Sequence, residues 1–509
     1  MAAADDLTRR EFVADAGYAT LGGMAAMIAP MVVPRRVLGR GQRAPSDQVN
    51  VAIVGFGGMG CQNALELAQT DHIGAVCDVD FAYSERMLAG HLTDKHGKPR
   101  PDGARLREQF GNAKRYGDFR EMLGKETGVD GVVIATPDHL HAVIAKAAMD
   151  LGKHVYVQKP LTATVHEARV LRECALANPK LVTQMGNQGH SGEGARLINE
   201  WVQAGIIGPV HEVHVWTDRP IIYWPQGLPR PSGAAPPEVP GEFGNPWTYR
   251  HVQDVLAAAM GGGGAPPAGL DWSLYLGPIA QNIPYHAIYH PFNWRGWLDF
   301  GSGALGDMGA HLIDHPISAL GLTYPVSIEA TSTPWGSTHL GVPVSYPVST
   351  CVHYQFAARG TQPPVKLSWF DGGIYPPRPD IMPDDVELAS EGGVIFIGER
   401  GILLHDTYGA NPRLYPRELT AAAAAVPKRI PRIVWSHELN WTKAIRGEAT
   451  ASSPLESAAE LTETMLLGLV ALRSGQGKKL LYDAERGRIA NFPDANQYLT
   501  REYRAGWAI

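Results

Sequence analysis

The 509 residues exceed what one hydrophobic core usually supports and predict two to three domains. With 44% hydrophobic and 19% charged residues, the composition excludes wholesale disorder. A formal net charge of -6 without a long single-sign run excludes a nucleic-acid-binding face and leaves small molecules as the expected partners. The four cysteines, Cys61, Cys77, Cys174 and Cys351, have neither the density of a disulfide scaffold nor the paired spacing of a zinc site, and are expected to be buried free thiols.

In chain order, Thr8-Arg9-Arg10-Glu11-Phe12 precedes an uncharged stretch from Ala16 to Val33. Paired arginines ahead of a mildly apolar segment resemble a twin-arginine export signal, which assigns residues 1–45 to signal and linker. The expected location is then the periplasm, or the membrane if the signal is not cleaved, with the twin-arginine export machinery as a partner. An amphipathic first helix and a membrane anchor are the alternatives; Gly22-Gly23 and Pro30 weigh against the anchor.

Residues 46–182 read as a dinucleotide-binding domain. A buried strand, Val49 to Val54, runs into Gly55-Phe56-Gly57-Gly58-Met59-Gly60 and then a helix through Leu67. Gly55 makes the tight turn, Gly57 lets the backbone approach a pyrophosphate, and Gly60 permits close helix–strand packing. Gly58 and Met59 lie at the helix N-terminus, whose free N–H groups face the phosphates. A second strand, Ile73 to Cys77, ends at Asp78, 18 residues beyond Gly60, near the offset of an acid that bonds the adenosine ribose. Asp80 is the second candidate, and an acid here favours NAD over NADP. Capping of the next helix is the alternative role for Asp78. Strands Gly131–Ala135 and His154–Val157 flank a helix to Leu151. This rhythm predicts a doubly wound parallel Rossmann sheet with ligands at the strands' carboxyl ends, where Thr136-Pro137 and Lys159-Pro160 lie.

The glycine turn, the A-T-P-D-H-L-H-A segment at Ala135–Ala142 and the Lys159-Pro160 pair together resemble the Gfo/Idh/MocA (glucose–fructose oxidoreductase / inositol dehydrogenase) family. The resemblance implies that Lys159 is catalytic and that Thr136, Pro137, His139, His141, Gln158 and Lys159 belong to the cofactor site. Gln158 departs from the family's usual glutamate. A neutral amide orients neighbours by hydrogen bonding without stabilising the lysine cation. The family's second signature, Asp-x-x-x-His, falls on Asp307 and His311, whose spacing puts both on one face of a helix. His311 is expected to be the general base, Lys159 to polarise the substrate hydroxyl or relay its proton, and Asp307 to orient substrate or lysine. Asp314 and His315 are expected to make helix-packing or dimer contacts, and no metal is expected.

The resemblance implies that residues 183–509 form an α+β domain with a large, open, mostly antiparallel sheet that covers the cofactor. Leu181 to His190 reads as a strand leaving the first domain, with Gln184, Asn187 and Gln188 as candidate cleft residues. A helix ends near Ala204, and Val210 to Trp216 alternates as a half-buried strand. Val348–Phe356, Val365–Phe370 and Gly393–Ile397 extend the sheet. Between them, about 219–291, a Pro- and Gly-rich stretch reads as a functional loop insertion. Its aromatic residues suit a carbohydrate, with Gln188, Trp224, Tyr289, Arg295 and His311 as the substrate-binding candidates. The expected activity is NAD-dependent oxidation of a sugar, glycoside or cyclitol hydroxyl with tightly held cofactor, by a homo-oligomer (dimer or tetramer). Redox-neutral, NAD-dependent glycoside hydrolysis and a carbohydrate-sensing module are the alternatives.

Overall fold

The computed structural model describes residues 47–235, 245–337 and 342–509. The arginine pair and the apolar stretch behind it lie outside these residues. Residues from Val49 to Ile509 form one compact unit built on two sheets.

The first sheet is six-stranded and parallel throughout: β1 (Asn50–Val54), β2 (His72–Cys77), β3 (Lys114–Tyr116), β4 (Gly131–Ile134), β5 (His154–Val157) and β6 (Thr183–Met185), in the order β3-β2-β1-β4-β5-β6. That order has its topological switch at β1 and β4, where a doubly wound sheet opens a crevice at its carboxyl edge. Val51, Ile53, Val132 and Val133 are fully buried because helices cover both faces, which is why these strands read as continuous apolar runs. β6 is shorter than the predicted Leu181–His190. It stops at Met185, and Gln188–Ser191 turns into a 3-10 helix. That turn delivers His190 Nδ1 to within 2.8 Å of an Asp314 carboxylate oxygen.

The second sheet has nine strands in the order β15-β14-β13-β7-β12-β11-β8-β16-β17, with only β7 and β12 parallel. They are β7 (Val210–Thr217), β8 (Ser327–Ser332), β11 (Thr350–Phe356), β12 (Val365–Phe370), β13 (Gly392–Gly398), β14 (Ile402–Asp406), β15 (Arg413–Tyr415), β16 (Lys479–Asp483) and β17 (Arg488–Ile489); β9 (Gly336–Ser337) and β10 (Pro343–Ser345) form a separate ladder. One face carries Val213, Val215, Val352, Tyr354 and Leu367 into the core shared with the helix Leu455–Arg473. The predicted α/β class, a parallel Rossmann sheet followed by a mostly antiparallel one, is the fold observed.

The described residues of the stretch 219–291 are not all loop. It holds helices Tyr249–Ala259 and Trp272–Leu276, and Tyr275, Leu276, Ile279, Ile283 and Tyr289 make a small core with Trp294, Trp297, Phe300 and Val344. Its proline and glycine content hid this because the apolar partners lie in neighbouring segments. All four cysteines are free, but only Cys61 and Cys77 are buried; Cys174 and Cys351 are half-buried, Cys174 on a helix and Cys351 on β11 against the cluster of Trp216, Phe370 and Ile395. Among the described residues no helix is long and apolar enough to cross a membrane.

Candidate active site

The carboxyl ends of β3, β2, β1, β4 and β5 line one cavity of about 290 Å³. In strand order they supply Gly117–Phe119, Asp78–Val79, Gly55 with Gly57–Met59, Ala135–Pro137 and Gln158–Lys159. The glycine turn is shaped for a dinucleotide. Gly55 has φ +82°, and a Cβ there would lie 2.7 Å from the Ala135 carbonyl oxygen. A Cβ on Gly60 would fall 1.8 Å from the Gly55 carbonyl oxygen, so the helix Gly58–Leu67 starts close against the strand only because Gly60 has no side chain. Gly58 has nothing near its Cβ direction, leaving the helix N-terminus open to the cavity. Asp78 accepts from Phe56 N at 2.6 Å and Asp80 N at 2.8 Å, which ties the acidic residue to the turn it serves. These residues fit a dinucleotide: Gly57, Gly58 and Met59 would hold the pyrophosphate and Asp78 the ribose.

At the β5 end Lys159 and Arg295 line the cavity and link it to the second signature, whose Asp307 and His311 lie outside the lining itself. The helix Gly303–Leu312 is built from small and apolar residues and is buried on nearly every side. A Cβ on Gly309 would come within 2.8 Å of Met465 Sδ, so the glycine lets this helix pack against Leu455–Arg473. The packing presents Asp307 to Lys159, whose ammonium donates to Asp307 Oδ1 at 2.7 Å and to the Asp307 carbonyl at 2.9 Å. Arg295 Nε is 3.4 Å from the same carboxylate oxygen. Burial alone would raise the Asp307 carboxyl, but the Lys159 and Arg295 cations outweigh it and hold it below the ordinary carboxylate range. His311 follows one turn later, 3% exposed, with Nδ1 lacking a protein partner. Burial, reinforced by the Lys159 cation, drives its pKa well below 6.5, so the imidazole is neutral at physiological pH and free to accept a proton.

Some predicted site residues have other tasks. His139 is fully buried with its ring nitrogens 3.1 Å and 2.8 Å from the carbonyls of Phe300 and Tyr275, and His141 bridges the carbonyls of Pro160 and Thr136. Both shape the cleft from within rather than facing it. Asp80 caps the helix Phe81–Gly90 through Tyr83 N and pairs with His290 at 2.9 Å. Tyr289 is 2% exposed in the small core, so it is a packing residue rather than a sugar contact. Gln188 lies outside the cavity lining, and Gly60 is a packing residue behind it. Trp224 is buried, with its Nε1 donating to Gln226 Oε1 at 2.8 Å; the Arg295 guanidinium stands 6.0 Å from its ring. Asp314 pairs with His190, and the His315 ring lies 4.9 Å from that of His405. Among the described residues no group of three or more His, Cys, Asp or Glu side chains is placed to hold a metal ion.

Other residues join the site without a signal in the sequence. Tyr408 sets its ring 4.7 Å from His311, edge to face at 71°, from a backbone with φ +63°. A non-glycine residue in the left-handed region is strained, a feature concentrated at functional sites. Arg219 stacks on Tyr223 at 3.4 Å, and both contribute to the electrostatic surroundings of Tyr408, as Asp307 does. Tyr275, His290 and Trp507 line the dinucleotide cavity from far along the chain.

Comparison with known proteins agrees with this geometry. Residues 49–185 match the family model described as the oxidoreductase family, NAD-binding Rossmann fold, and 248–339 match its C-terminal alpha/beta domain. A glycosyl hydrolase family 109 protein of Shewanella baltica (strain OS195) is 29% identical over 214 residues, 40% of this chain and 44% of that protein. An alpha-N-acetylgalactosaminidase of Shewanella oneidensis is 30% identical over 216 residues with the same coverage, 40% and 44%. The match thus spans less than half the length of these curated relatives. In fold, the chain resembles the WlbA dehydrogenase of Chromobactrium violaceum, solved with NADH and UDP-GlcNAcA, at TM-score 0.51 and 16% identity over 90% of this chain and 99% of that one. It also resembles a levoglucosan dehydrogenase solved with NADH, at TM-score 0.50 and 16% identity over 84% and 96%. With lysine, aspartate and histidine where the two sheets meet, the chain carries both the NAD-binding Rossmann domain and the C-terminal alpha/beta domain of the Gfo/Idh/MocA oxidoreductase family.

Proposed function

We propose that this protein oxidises a hydroxyl of a sugar, glycoside or cyclitol with an NAD that stays bound. The observation that carries the reading is the Lys159–Asp307 pair, formed where Lys159 lines the β5 end of the dinucleotide cavity, with neutral His311 one helical turn beyond Asp307 and outside that lining. Bound NAD supplies a hydride acceptor at C4 of its nicotinamide. Two of the three Lys159 ammonium protons are committed to Asp307, which leaves one to meet the substrate oxygen. His311 Nδ1 accepts the hydroxyl proton, and Asp307 holds Lys159 in place. Arg219, Tyr223 and Tyr408 offer polar tips and flat rings beside these groups, a composition suited to a hydroxylated ring.

A second reading is redox-neutral glycoside hydrolysis, favoured by the similarity to the glycosyl hydrolase family 109 proteins and the alpha-N-acetylgalactosaminidase. There, oxidation of a ring hydroxyl acidifies the neighbouring C–H, elimination expels the aglycone, water adds at the anomeric carbon across the new double bond, and return of the hydride restores the hydroxyl. Lys159 and His311 serve both. Export through the twin-arginine route, suggested by Arg9-Arg10, belongs to the same proposal, since NAD that is not exchanged suits an enzyme outside the cytoplasm. Assembly as a homo-oligomer completes it.

Purified protein is denatured to identify any released nucleotide and then assayed on free sugars and nitrophenyl glycosides with and without added NAD. Enzyme-bound NADH formed from a free sugar, up to one equivalent per chain in the absence of a reoxidant, supports net oxidation. Nitrophenol release without NADH accumulation replaces it with the hydrolytic reading, and neither product from any substrate overturns both.

A further inference from the structure

Trp507 lies 429 positions after Asp78 in sequence, yet it lines the same cavity. It is 6% exposed. The segment that carries it is anchored to the nucleotide domain at several points. Arg501 pairs with the fully buried Glu167 and donates to the His139 carbonyl at 2.6 Å, and the Tyr503 hydroxyl donates to Glu167 at 3.0 Å. Arg504 N donates to the Pro278 carbonyl at 2.9 Å. The indole itself sits among Arg120, whose guanidinium is 4.4 Å from its ring centre, Arg504 at 5.1 Å, and Phe119 at 5.9 Å. Gly277, at φ +53°, packs against the same spot; a Cβ there would meet Leu140 Cδ2 at 2.3 Å and Trp507 Cζ3 at 3.4 Å.

The sheet order says what this indole faces. Lys159 lies at the β5 end of the cavity, the glycine turn at β1, and Asp78 beyond it at β2. A dinucleotide whose pyrophosphate lies on the turn and whose ribose reaches Asp78 therefore sends its base toward β3. Beside that end, Gly117 and Phe119 after β3 join Leu140 and Ile144 from the helix that follows β4, with Leu274 and Trp507, in a mostly apolar part of the lining suited to a flat, uncharged base. We propose that Trp507 is a cofactor-binding residue: with Phe119 and Leu140 it closes the adenine end of the cavity and slows nucleotide release. Base–aromatic stacking requires only a π face, and desolvating a base against apolar walls slows its return to water. The inference rests on the dinucleotide reading of the cavity and not on the sugar chemistry.

The test is binding, not turnover. The full chain, freed of nucleotide, is titrated calorimetrically with ADP-ribose, which carries adenine, and with nicotinamide mononucleotide, which does not. Trp507→Leu is expected to weaken ADP-ribose binding by roughly tenfold or more, in line with the loss of one aromatic stack, and to leave the mononucleotide unchanged. Trp507→Phe is expected to restore most of the loss. Equal ADP-ribose affinity in wild type and Trp507→Leu overturns the proposal, as does an equal loss for both probes, which marks general damage. If Trp507→Leu does not fold, hydrogen exchange on the wild type decides: amides of residues 503–507 slow with ADP-ribose and not with the mononucleotide, and no slowing overturns the assignment. A wild type that binds neither probe removes the dinucleotide reading and this proposal together. Binding without turnover of any sugar removes only the proposed reaction.

Discussion

Lys159 reaches across 148 residues of sequence to place its ammonium 2.7 Å from Asp307 Oδ1, with both side chains largely out of water. Breaking one partner of a buried pair leaves an uncompensated charge and costs about 3–5 kcal/mol, whereas replacing both with apolar groups costs less. Asp307→Asn and Lys159→Met are each expected to lower the urea unfolding free energy by about 3 kcal/mol, and Lys159→Met/Asp307→Leu by less than their sum. Because the Asp307 pKa is depressed, its stabilisation is complete above the ordinary carboxylate range near pH 4 and declines as pH falls below it. Additive losses in the double variant contradict the pair. All three variants are expected to lose activity by roughly a hundredfold or more.

Buried neutral histidines set a second pH dependence. Burial pushes His139 down to about 3 and His315 and His437 down to about 4. A depressed pKa contributes stability that is present above the unfolded value of 6.5 and is lost as pH falls toward the folded value. Lowering the pH from 7 to 5 is expected to cost about 2 kcal/mol for each of these groups, and urea midpoints measured across that range check it. A midpoint that stays level or rises contradicts their neutral burial.

His311 shares that depression, so it remains a competent base on the acidic side of neutrality. The acid limb of kcat/KM is expected to fall below pH 6.5. His311→Ala is expected to reduce kcat by about a hundredfold or more while NAD content is unchanged. Full activity in that variant removes His311 from the reaction.

Tyr408 offers a separation of stability from function. Its left-handed backbone suits asparagine better than tyrosine, so Tyr408→Asn is expected to unfold within about 0.5 kcal/mol of wild type or above it. Loss of the ring beside His311 is expected to lower kcat/KM by about tenfold. Unchanged kcat/KM on a turned-over substrate removes Tyr408 from the site.

Gly60→Ala tests the turn. The added methyl has no room against the Gly55 carbonyl, and the expected outcome is loss of bound nucleotide together with destabilisation of about 2 kcal/mol or more, read from nucleotide content and thermal unfolding. Retained nucleotide at wild-type stability contradicts the close approach.

The parallel sheet was legible because its strands announce themselves locally. An apolar run, a glycine turn and an acid at β2 are all written within thirty residues, and the physics that makes them, burial on both faces and a turn that tolerates no Cβ, acts over the same distance. The Asp307 and His311 spacing was legible for the same reason, since one helical turn is a local measure. Long-range packing decided the rest. His139 and His141 sit in a motif of the nucleotide domain, but carbonyls from Phe300, Tyr275 and Pro160 turn them inward. Tyr289 lies in a stretch rich in proline and glycine, yet Trp297 and Phe300 make it core. Trp507 and Tyr408 enter the site only because Glu167 anchors one segment and the second sheet carries the other. Sequence by itself determined the Rossmann half and named the lysine, the aspartate and the histidine. Tertiary structure decided that, of the two expected roles, Asp307 holds the lysine, and which residues face the cavity and which merely support it, because contacts between segments hundreds of residues apart leave no periodicity in either one.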